Sequence, residues 1–390
     1  MLDFFEFALP VQVVFGWGML AKAGKYIKPY GKRALIVTGK SSAKNGYLQK
    51  LTAQLDELKI THTVFDGVTP NPKSTEVDAA AKIAVENKCD LIIALGGGSI
   101  MDAAKGVAAV AKNGGGIWDY VYKGPGQKMK SFNAALPLLV IPTLAATGSE
   151  LNSGAVISNP HTKEKTPFFN EAVYPKAAII DPQLTVSVPY ASTVDGGIDV
   201  ICHVLEMYLS TEADDYLQDQ LALAITKTVI RTLDILQNDP ANQEARTQLF
   251  WAASLALSGV VNEGRSGEFP MHAIEHVLSA HNDRLAHGRG LATILLQKIK
   301  FIKKLLPQKY AELAGLVAEA TRSDRGDAYT LWQKWLAAHG AGGSLGEYLQ
   351  GLDREKLAEQ VLTFSGTPDF LPDIKPLYKK DLIEFIQMLG

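Results

Sequence analysis

The feature that most constrains the fold is the segment LIIALGGGSIMDAAKGVAAV, in which an apolar run enters three glycines and then a helical pattern. A strand that is buried on both faces of a sheet reads as such an uninterrupted apolar run. Glycines at the turn let the backbone approach a ligand, and the helix that follows offers free N–H groups and a favourable dipole. The segment therefore predicts a strand, turn and helix in a parallel sheet, with Gly97, Gly98 and Ser99 binding a pyrophosphate. A tight structural turn without a ligand is the alternative.

The rest of the first half repeats this alternation of strand-like and helix-like segments. Further strand-like runs are RALIVTG (33–39), THTVFDGV, LPLLVIPT (136–143) and KAAIIDP (176–182). Such a rhythm is typical of a parallel sheet with helices on both faces. We therefore predict an α/β, Rossmann-like, dinucleotide-binding domain over residues 1–186.

The second half has a different texture. Strand-like runs give way to helical patterns over 192–210, 214–237, 243–262, 269–281 and 290–304. A chain of 390 residues is long enough for two cores. We therefore predict a second, all-α domain over residues 187–390, which would bind a metal and carry the catalytic groups.

Composition and charge exclude several classes of protein. Hydrophobic residues make up 47% and charged residues 21%, with a formal net charge of −2, so neither a nucleic-acid nor an acidic-membrane partner is expected. The sequence has neither the basic start of a signal peptide nor an apolar run of about 18 residues, so we expect no membrane span. Two cysteines, Cys89 and Cys202, cannot build a disulfide framework. These features favour a cytoplasmic protein.

The turn after the strand-like run at 33–39, TGKSSAKNG, bears on the choice of cofactor. In nucleotide-binding folds an acidic residue near this point holds the ribose 2′-hydroxyl and would repel a 2′-phosphate. Here the turn has Gly39, Lys40, Ser41 and Ser42 and lacks an acid. A small, basic, hydroxyl-rich turn favours NADP(H) and leaves NAD(H) open. A solvated loop without contact to a cofactor is the alternative.

Half of the eight histidines fall in one segment, HAIEHVLSAHNDRLAHG, which begins at His272. His272 and His276 are four residues apart, as are Asp199 and His203 in GGIDVICHVLEMY, so each pair projects from one face of a helix. Both segments are apolar, and an unpaired polar group there would be costly. Asp199, His203, His272 and His287 would offer three neutral imidazoles and one carboxylate to Fe(II) or Zn(II). A single pair at this spacing is also common as a surface or capping pair.

Several segments together resemble the iron-containing alcohol dehydrogenases, the group III family, in its butanol-dehydrogenase-like branch. They are IPTLAATGSELNSGAVIS (141–158), KAAIIDPQLT, GIDVICHVLE and GRSGEFPMHAIEHVLSAH with the AHG that follows. These look like the family's T-G-S-E signature, the strand that closes its first domain, and its two metal-binding motifs. The resemblance covers nearly the whole chain and implies a Rossmann-like domain followed by a helical one.

The resemblance also implies roles for individual residues. The family's metal ligands fall on Asp199, His203, His272 and His287, and His276 falls on a position near nicotinamide and substrate, where it would relay a proton. The spacing from His272 to His287 is one residue longer than the family's, so His281 competes for the last ligand position. The implied cofactor contacts are Asn71, Gly97, Gly98, Ser99, Asp102, Thr143, Thr147, Asn152 and Lys165, in addition to Gly39 and Ser41 of the first turn.

The expected function is a metal-dependent interconversion of short to medium primary alcohols and aldehydes with NAD(P)(H). The metal would act as a Lewis acid while a hydride moves to or from nicotinamide C4. A homodimer is expected from the resemblance. Alternatives on the same fold are a polyol dehydrogenase of the glycerol or propanediol type and a dehydroquinate synthase-like lyase. A nucleotide- or metal-binding protein with a degraded site is the non-enzymatic alternative.

Overall fold

The computed structural model describes residues 4–124, 126–364 and 367–390, which form two compact units. The sheet unit contains Ala8–Tyr122 and Lys128–Val188. Of the described residues, the helical unit contains 4–7, 123–124, 126–127, 189–364 and 367–390. The predicted fold class, a helix-covered parallel sheet followed by a helical region, is confirmed. The assignment of a dinucleotide to 1–186 and of a metal to 187–390 stays a prediction.

Six parallel strands form the main sheet of the sheet unit. The strands of this unit are β1 (Gln12–Phe15), β2 (Arg33–Thr38), β3 (Thr61–Phe65), β4 (Leu91–Gly96), β5 (Leu138–Pro142), β6 (Gly154–Asn159), β7 (Glu164–Phe169) and β8 (Ala177–Ile180). The order in the main sheet is β1-β8-β5-β4-β2-β3. β4, β5 and β8 are buried at every position. Helices therefore cover both faces, which explains why these strands are apolar throughout.

Helices of the sheet unit lie on both faces of this sheet. They are α1 (Ala23–Ile27), α2 (Lys40–Lys44), α3 (Tyr47–Glu57), α4 (Ser74–Glu86) and α5 (Gly98–Asn113). Alternate residues such as Ile36 and Ile93 pack in one core with Ile27 of α1 and Leu51 of α3. α5 packs against β4 and β2, and α4 packs against β2. α4 and α5 connect β3 to β4 and β4 to β5, which run across the sheet in the direction opposite to the β2–β3 connection. Because all these crossovers are right-handed, α4 and α5 lie on the opposite face from α3.

The strand order has a switch point between β2 and β4. From β2 the chain proceeds to β3 on one side, and then returns to β4 on the other side and continues to β5 and β8. In doubly wound sheets a ligand binds at such a point, beyond the carboxyl ends of the two strands. The turns that follow β2 and β4 begin with Gly39 and Gly97, respectively. The topology therefore favours a ligand site at these two turns, which are the turns that the sequence predicted to contact a cofactor.

Two parts of the sheet unit were not predicted. β1 is a short edge strand that pairs with β8, and β6 and β7 form a separate antiparallel hairpin. The hairpin follows the TGSE segment directly, and the N–H of Val156 in β6 donates to Oδ2 of Asp102 in α5 at 2.9 Å. It therefore fixes the TGSE segment against α5.

The helical unit is built around a buried central helix, α6. The helices of this unit are α6 (Tyr190–Leu209), α7 (Tyr216–Asn238), α8 (Gln243–Ala256), α9 (Pro270–His281), α10 (His287–Ile302), α11 (Pro307–Thr321), α12 (Ala328–Ala338), α13 (Gly346–Leu349), α14 (Arg354–Phe364) and α15 (Lys379–Leu389). α6 is buried without a gap from Gly196 to Leu209 and packs against α7, α8 and α10. A helix that is apolar on all sides is typical of such a central position.

The helical unit departs from the sequence prediction in three places. α8 ends at Ala256 rather than at 262, before Gly259 adopts a φ of 91° that interrupts a helix. α10 begins at His287, three residues earlier than predicted. The region is also not wholly helical, because β9 (Phe370–Leu371) and β10 (Leu377–Tyr378) form a short antiparallel pair. Among the described residues, the longest apolar helices fall short of what crossing a bilayer requires.

Candidate metal centre and cofactor site

Three helices bring the four predicted metal ligands together. α6 carries Asp199 and His203 one turn apart, α9 carries His272 in its first turn, and α10 begins at His287. The first three side chains are buried and that of His287 is half-buried. Polar groups at such depth require partners, and the imidazole Nε2 atoms find one in Asp199, while Nδ1 of His203 is buried without a hydrogen bond.

The four side chains meet at Oδ1 of Asp199. The distances to this oxygen are 3.5 Å from Nε2 of His203, 3.4 Å from Nε2 of His272 and 3.4 Å from Nε2 of His287. A tetrahedral divalent ion with bonds of about 2.1 Å holds its ligand atoms roughly 3.4 Å apart. Donor atoms of Asp199, His272 and His287 also lie within 4.8 Å of one another. The separations of these three donors therefore fit one shared ion, and His203 joins them through its 3.5 Å distance to Asp199. Three imidazoles with one carboxylate suit Fe(II) or Zn(II).

Two buried glutamates orient two of these imidazoles. Oε2 of Glu206 contacts Nδ1 of His272, and Oε2 of Glu275 contacts Nδ1 of His287. Both glutamates have no exposed surface. A carboxylate on the outer nitrogen keeps the proton there and aims the other nitrogen inward, as is usual for histidine ligands of metals.

Burial and the neighbouring charges set the protonation of the cluster. Burial alone would raise the pKa of Asp199, but His203 and His287 hold it well below its ordinary range. Burial lowers the pKa of His203 to about 3, against the effect of Asp199, so this imidazole is neutral near pH 7. Burial opposes protonation of His272 as well, yet Glu206 and Asp199 raise its pKa to about 10. The pocket therefore attracts positive charge, which is the property that a cation site requires.

The two remaining histidines of the segment, His276 and His281, lie at different distances from the cluster. The ring of His276 lies 5.9 Å from that of His272 and 5.4 Å from that of His287, at the half-buried edge of the cluster. His281 ends α9, and its Nε2 lies 2.6 Å from Oε1 of Gln360. The structure thus brings His287, rather than His281, to Asp199.

In the sheet unit, the glycine turn touches the TGSE segment. Gly97 precedes α5 and Gly98 is its first residue. A Cβ at Gly98 would lie 2.4 Å from Cγ2 of Thr147, so only glycine fits there. The N–H of Thr143 donates to the carbonyl of Gly96 at 3.1 Å. Gly97 and Ser99 remain half-buried at the start of α5, where a pyrophosphate could approach the first amides.

A buried lysine organises the other predicted cofactor contacts. Nζ of Lys105 donates to the carbonyl and hydroxyl of Ser149 at 2.7 and 2.8 Å, to Oδ1 of Asn152 at 3.0 Å and to the carbonyl of Gly154 at 2.6 Å. The Ser149 hydroxyl in turn donates to Oδ1 of Asp102 at 2.7 Å. Burial lowers the pKa of Lys105 to about 8 and raises that of Asp102. Asp102 and Asn152 therefore belong to one buried network.

The remaining predicted contacts lie at separate points of the sheet unit. Gly39 follows β2, and a Cβ there would meet Cδ1 of Ile100 at an acceptable 3.4 Å. Ser41 is exposed in α2, and Asn71 adopts a left-handed φ of 53°. Lys165 is buried on β7 and acts electrostatically on Asp102. Contacts of all these residues with a dinucleotide stay predictions.

The sequence patterns missed two residues that the structure makes prominent. Glu275 stands between His272 and His276 but pairs with His287, across the break between α9 and α10, so helical spacing did not reveal it. Lys105 could have been noticed, because it is a cation on an otherwise apolar face of α5 in DAAKGVAAV.

Comparison with known proteins decides the family. The profile described as "Iron-containing alcohol dehydrogenase" matches residues 10–182, and that of the family's C-terminal region matches residues 193–363. The chain belongs to the iron-containing alcohol dehydrogenase family. As a member, it is an oxidoreductase that interconverts alcohols and aldehydes, which favours the dehydrogenase over the lyase alternative.

Relatives of this alcohol dehydrogenase are similar over most of their length. NADH-dependent butanol dehydrogenase A of Clostridium acetobutylicum is 40% identical over 299 residues, which are 76% of this chain and 75% of the relative. NADPH-dependent aldehyde reductase YqhD of Escherichia coli is 32% identical over 330 residues, 83% of each chain. The crystal structure of NADH-dependent butanol dehydrogenase A from Thermotoga maritima has a TM-score of 0.90 at 32% identity and covers 100% of this chain and 99% of that one. The family therefore includes members named for either nicotinamide cofactor.

Proposed function

We propose that this dehydrogenase interconverts short to medium aldehydes and primary alcohols, with Fe(II) or Zn(II) at Asp199, His203, His272 and His287. The observation that carries the proposal is the approach of three imidazole Nε2 atoms to one carboxylate oxygen at 3.4–3.5 Å. The half-buried ring of Phe269 lies 6.0 Å from that of His272 and gives the cluster an apolar neighbour. A hydrocarbon chain suits such a neighbour better than a polyol does.

The residues of this chain would divide the work as follows. A divalent metal supplies Lewis acidity towards a carbonyl oxygen, and reduced nicotinamide supplies the hydride. Glu206 and Glu275 hold the ligand imidazoles in place, and the turn at Gly97–Ser99 binds the pyrophosphate. His276 is half-buried at the edge of the cluster, and an imidazole there can pass a proton between substrate and water.

For the cofactor we propose that NADP(H) is preferred and NAD(H) accepted. The turn after β2 lacks an acid, and the nearest neighbours of a Cβ at Gly39 are Cδ1 of Ile100 at 3.4 Å and the carbonyl of Val68 at 3.5 Å. A 2′-phosphate therefore meets no carboxylate on this turn. The relatives include both NADH- and NADPH-dependent enzymes, so the family alone does not decide between them. A homodimer stays a prediction from the resemblance.

Two histidine variants test the metal site directly. His287→Ala removes a proposed ligand, whereas His281→Ala removes a histidine that pairs with Gln360 outside the cluster. We expect His287→Ala to lose bound metal by elemental analysis and to lose reduction of short aldehydes. His281→Ala should keep both. Equal metal content in the two variants would contradict the ligand set.

Kinetics on the wild-type enzyme test the reaction and the cofactor. Oxidation of NADPH and NADH, followed by the absorbance of the reduced nicotinamide, should depend on a short aldehyde and should be faster with NADPH. His203→Ala should abolish turnover and metal binding yet retain cofactor binding, because the glycine turn belongs to the sheet unit. Turnover that survives in metal-stripped His203→Ala would refute the proposal.

A further inference from the structure

Glu206 contacts three nitrogen atoms with its two oxygens. Oε1 accepts from the backbone N–H of Met271 and from that of His272, the latter at 2.9 Å, while Oε2 faces Nδ1 of His272. Met271 and His272 stand in the first turn of α9, where backbone N–H groups have no partner within the helix. Phe269, which precedes α9, provides no side-chain cap. Glu206 of α6 therefore caps α9 from outside and contacts a proposed metal ligand with the same carboxylate.

We propose that Glu206 is a positioning residue that fixes the tautomer of His272, an inference that rests on the proposed metal site. Backbone N–H groups can only donate, so they hold Oε1 as an acceptor and thereby fix the orientation of the carboxylate. Oε2 then accepts the proton of Nδ1 of His272. When a metal displaces the proton of Nε2, the proton that remains on Nδ1 leaves a lone pair on Nε2. This atom lies 3.4 Å from Oδ1 of Asp199 and can share an ion with it. α6 thus provides two ligands and also sets the donor atom of a third.

Glu275 offers a matched comparison within the same site. It too is fully buried and contacts Nδ1 of a proposed ligand, His287. Its Oε2 also accepts from the hydroxyl of Ser279 at 3.3 Å, and that hydroxyl can rotate to donate or accept. Both of these contacts of Glu275 are made by Oε2, whereas Glu206 contacts the imidazole through Oε2 and two backbone N–H groups through Oε1.

Substitution by glutamine separates the two glutamates, because it keeps the shape and replaces one acceptor oxygen by an NH₂ donor. In Glu206→Gln the amide oxygen must stay on the two backbone N–H groups, so the NH₂ faces Nδ1 of His272. That contact is favourable only if Nδ1 accepts, which moves the imidazole proton to Nε2 and removes the lone pair that binds metal. In Glu275→Gln an amide oxygen at the place of Oε2 can still accept from Nδ1 of His287 and from the hydroxyl of Ser279.

The experiment measures the affinity of the full-length protein for Zn²⁺ by competition with a chromophoric chelator. We expect Glu206→Gln to weaken zinc binding roughly 10–100-fold and Glu275→Gln to weaken it by a clearly smaller factor. His272→Ala tests the ligand itself and should lose the site. Equal affinities for the two glutamine variants, with the site lost in His272→Ala, would overturn the tautomer inference alone. Zinc binding at wild-type strength in His272→Ala would overturn the proposed metal site and this inference with it.

A spectroscopic measurement on the wild-type protein reads the tautomer of His272 directly. In zinc-loaded protein with ¹⁵N-labelled histidine, the resonances that disappear in His272→Ala should show a proton on Nδ1. In zinc-loaded Glu206→Gln this Nδ1–H signal should be lost, and in Glu275→Gln it should persist. A wild-type His272 that carries its proton on Nε2 would overturn the inference.

Discussion

The close contact between α6 and α10 at Gly288 shows how tightly the metal ligands are placed. A Cβ at Gly288 would lie 1.9 Å from the carbonyl oxygen of Asp195, whereas real Cβ atoms essentially never approach within 3.0 Å. Gly288→Ala must therefore move the first turn of α10 away from α6 by about 1.1 Å, the difference between these distances. His287 precedes Gly288, so its Nε2 would move from 3.4 Å to about 4.5 Å from Oδ1 of Asp199.

This displacement is large on the scale of a metal site. Ligands on one tetrahedral ion with bonds of about 2.1 Å cannot lie much farther apart than roughly 3.4 Å. A misplacement of about 1 Å can cost a factor of about 100 in rate. We therefore expect kcat/KM of Gly288→Ala to fall about 100-fold. The affinity for zinc should fall by about tenfold or more. Overpacking should also lower the free energy of unfolding by about 1–3 kcal/mol.

Gly315→Ala is the matched control. Gly315 lies inside α11 of the same unit, and a Cβ there would meet no atom within 4 Å. The alanine should raise the free energy of unfolding by about 0.5–1 kcal/mol and leave kcat/KM and zinc affinity unchanged. Denaturant unfolding, chelator competition and aldehyde kinetics check all three quantities. Wild-type zinc affinity and kcat/KM in Gly288→Ala would refute the view that this contact sets the position of His287.

Three further perturbations test other parts of the molecule. Gly39→Asp should shift the ratio of kcat/KM values from NADPH towards NADH, because the Cβ is tolerated and a carboxylate repels a 2′-phosphate; an unchanged ratio would place the 2′ site elsewhere. Lys105→Met leaves several buried acceptors and Asp102 without their cation. The free energy of unfolding, measured with denaturant, should therefore fall by about 3–5 kcal/mol, and a negligible fall would contradict the network. Burial opposes protonation of His272 but Glu206 and Asp199 raise its pKa to about 10, so below that pH Zn²⁺ must displace a proton. Zinc affinity should therefore fall about tenfold for each pH unit lowered, and a pH-independent affinity would argue against this protonation.

The fold could be predicted largely from local patterns. The uninterrupted apolar runs of β4 and β5 indicated buried parallel strands, and they are buried at every position. The β6–β7 hairpin was missed because its stability comes from pairing between its strands and from the bond between Val156 and Asp102, neither of which has a periodic signature. The end of α8 was placed too late, since the helical pattern continues past Ala256 whereas Gly259 adopts a positive φ, which glycine permits but its presence in the sequence does not require.

The candidate site shows the same division between local and tertiary information. The four-residue spacing of Asp199 and His203 was enough to place both on one face of α6. The choice between His281 and His287 depended on where α9 ends and α10 begins, which spacing could not tell. The pairing of Glu275 with His287 spans that same break. The sequence therefore predicted which residues share a face of one helix, but it did not predict which residues of different helices are in contact.

The proposed ligands come from α6, α9 and α10, so a single ion held by all four would tie together helices that lie far apart along the chain. An unfolded chain offers no such arrangement, and the ion then binds only the native state. At a free concentration of about a thousand times its dissociation constant it adds about 4 kcal/mol to the free energy of unfolding. Scarcity of metal would thus shorten the lifetime of the enzyme in a cell as well as halt its turnover, because the ion-free helices open more often to proteases.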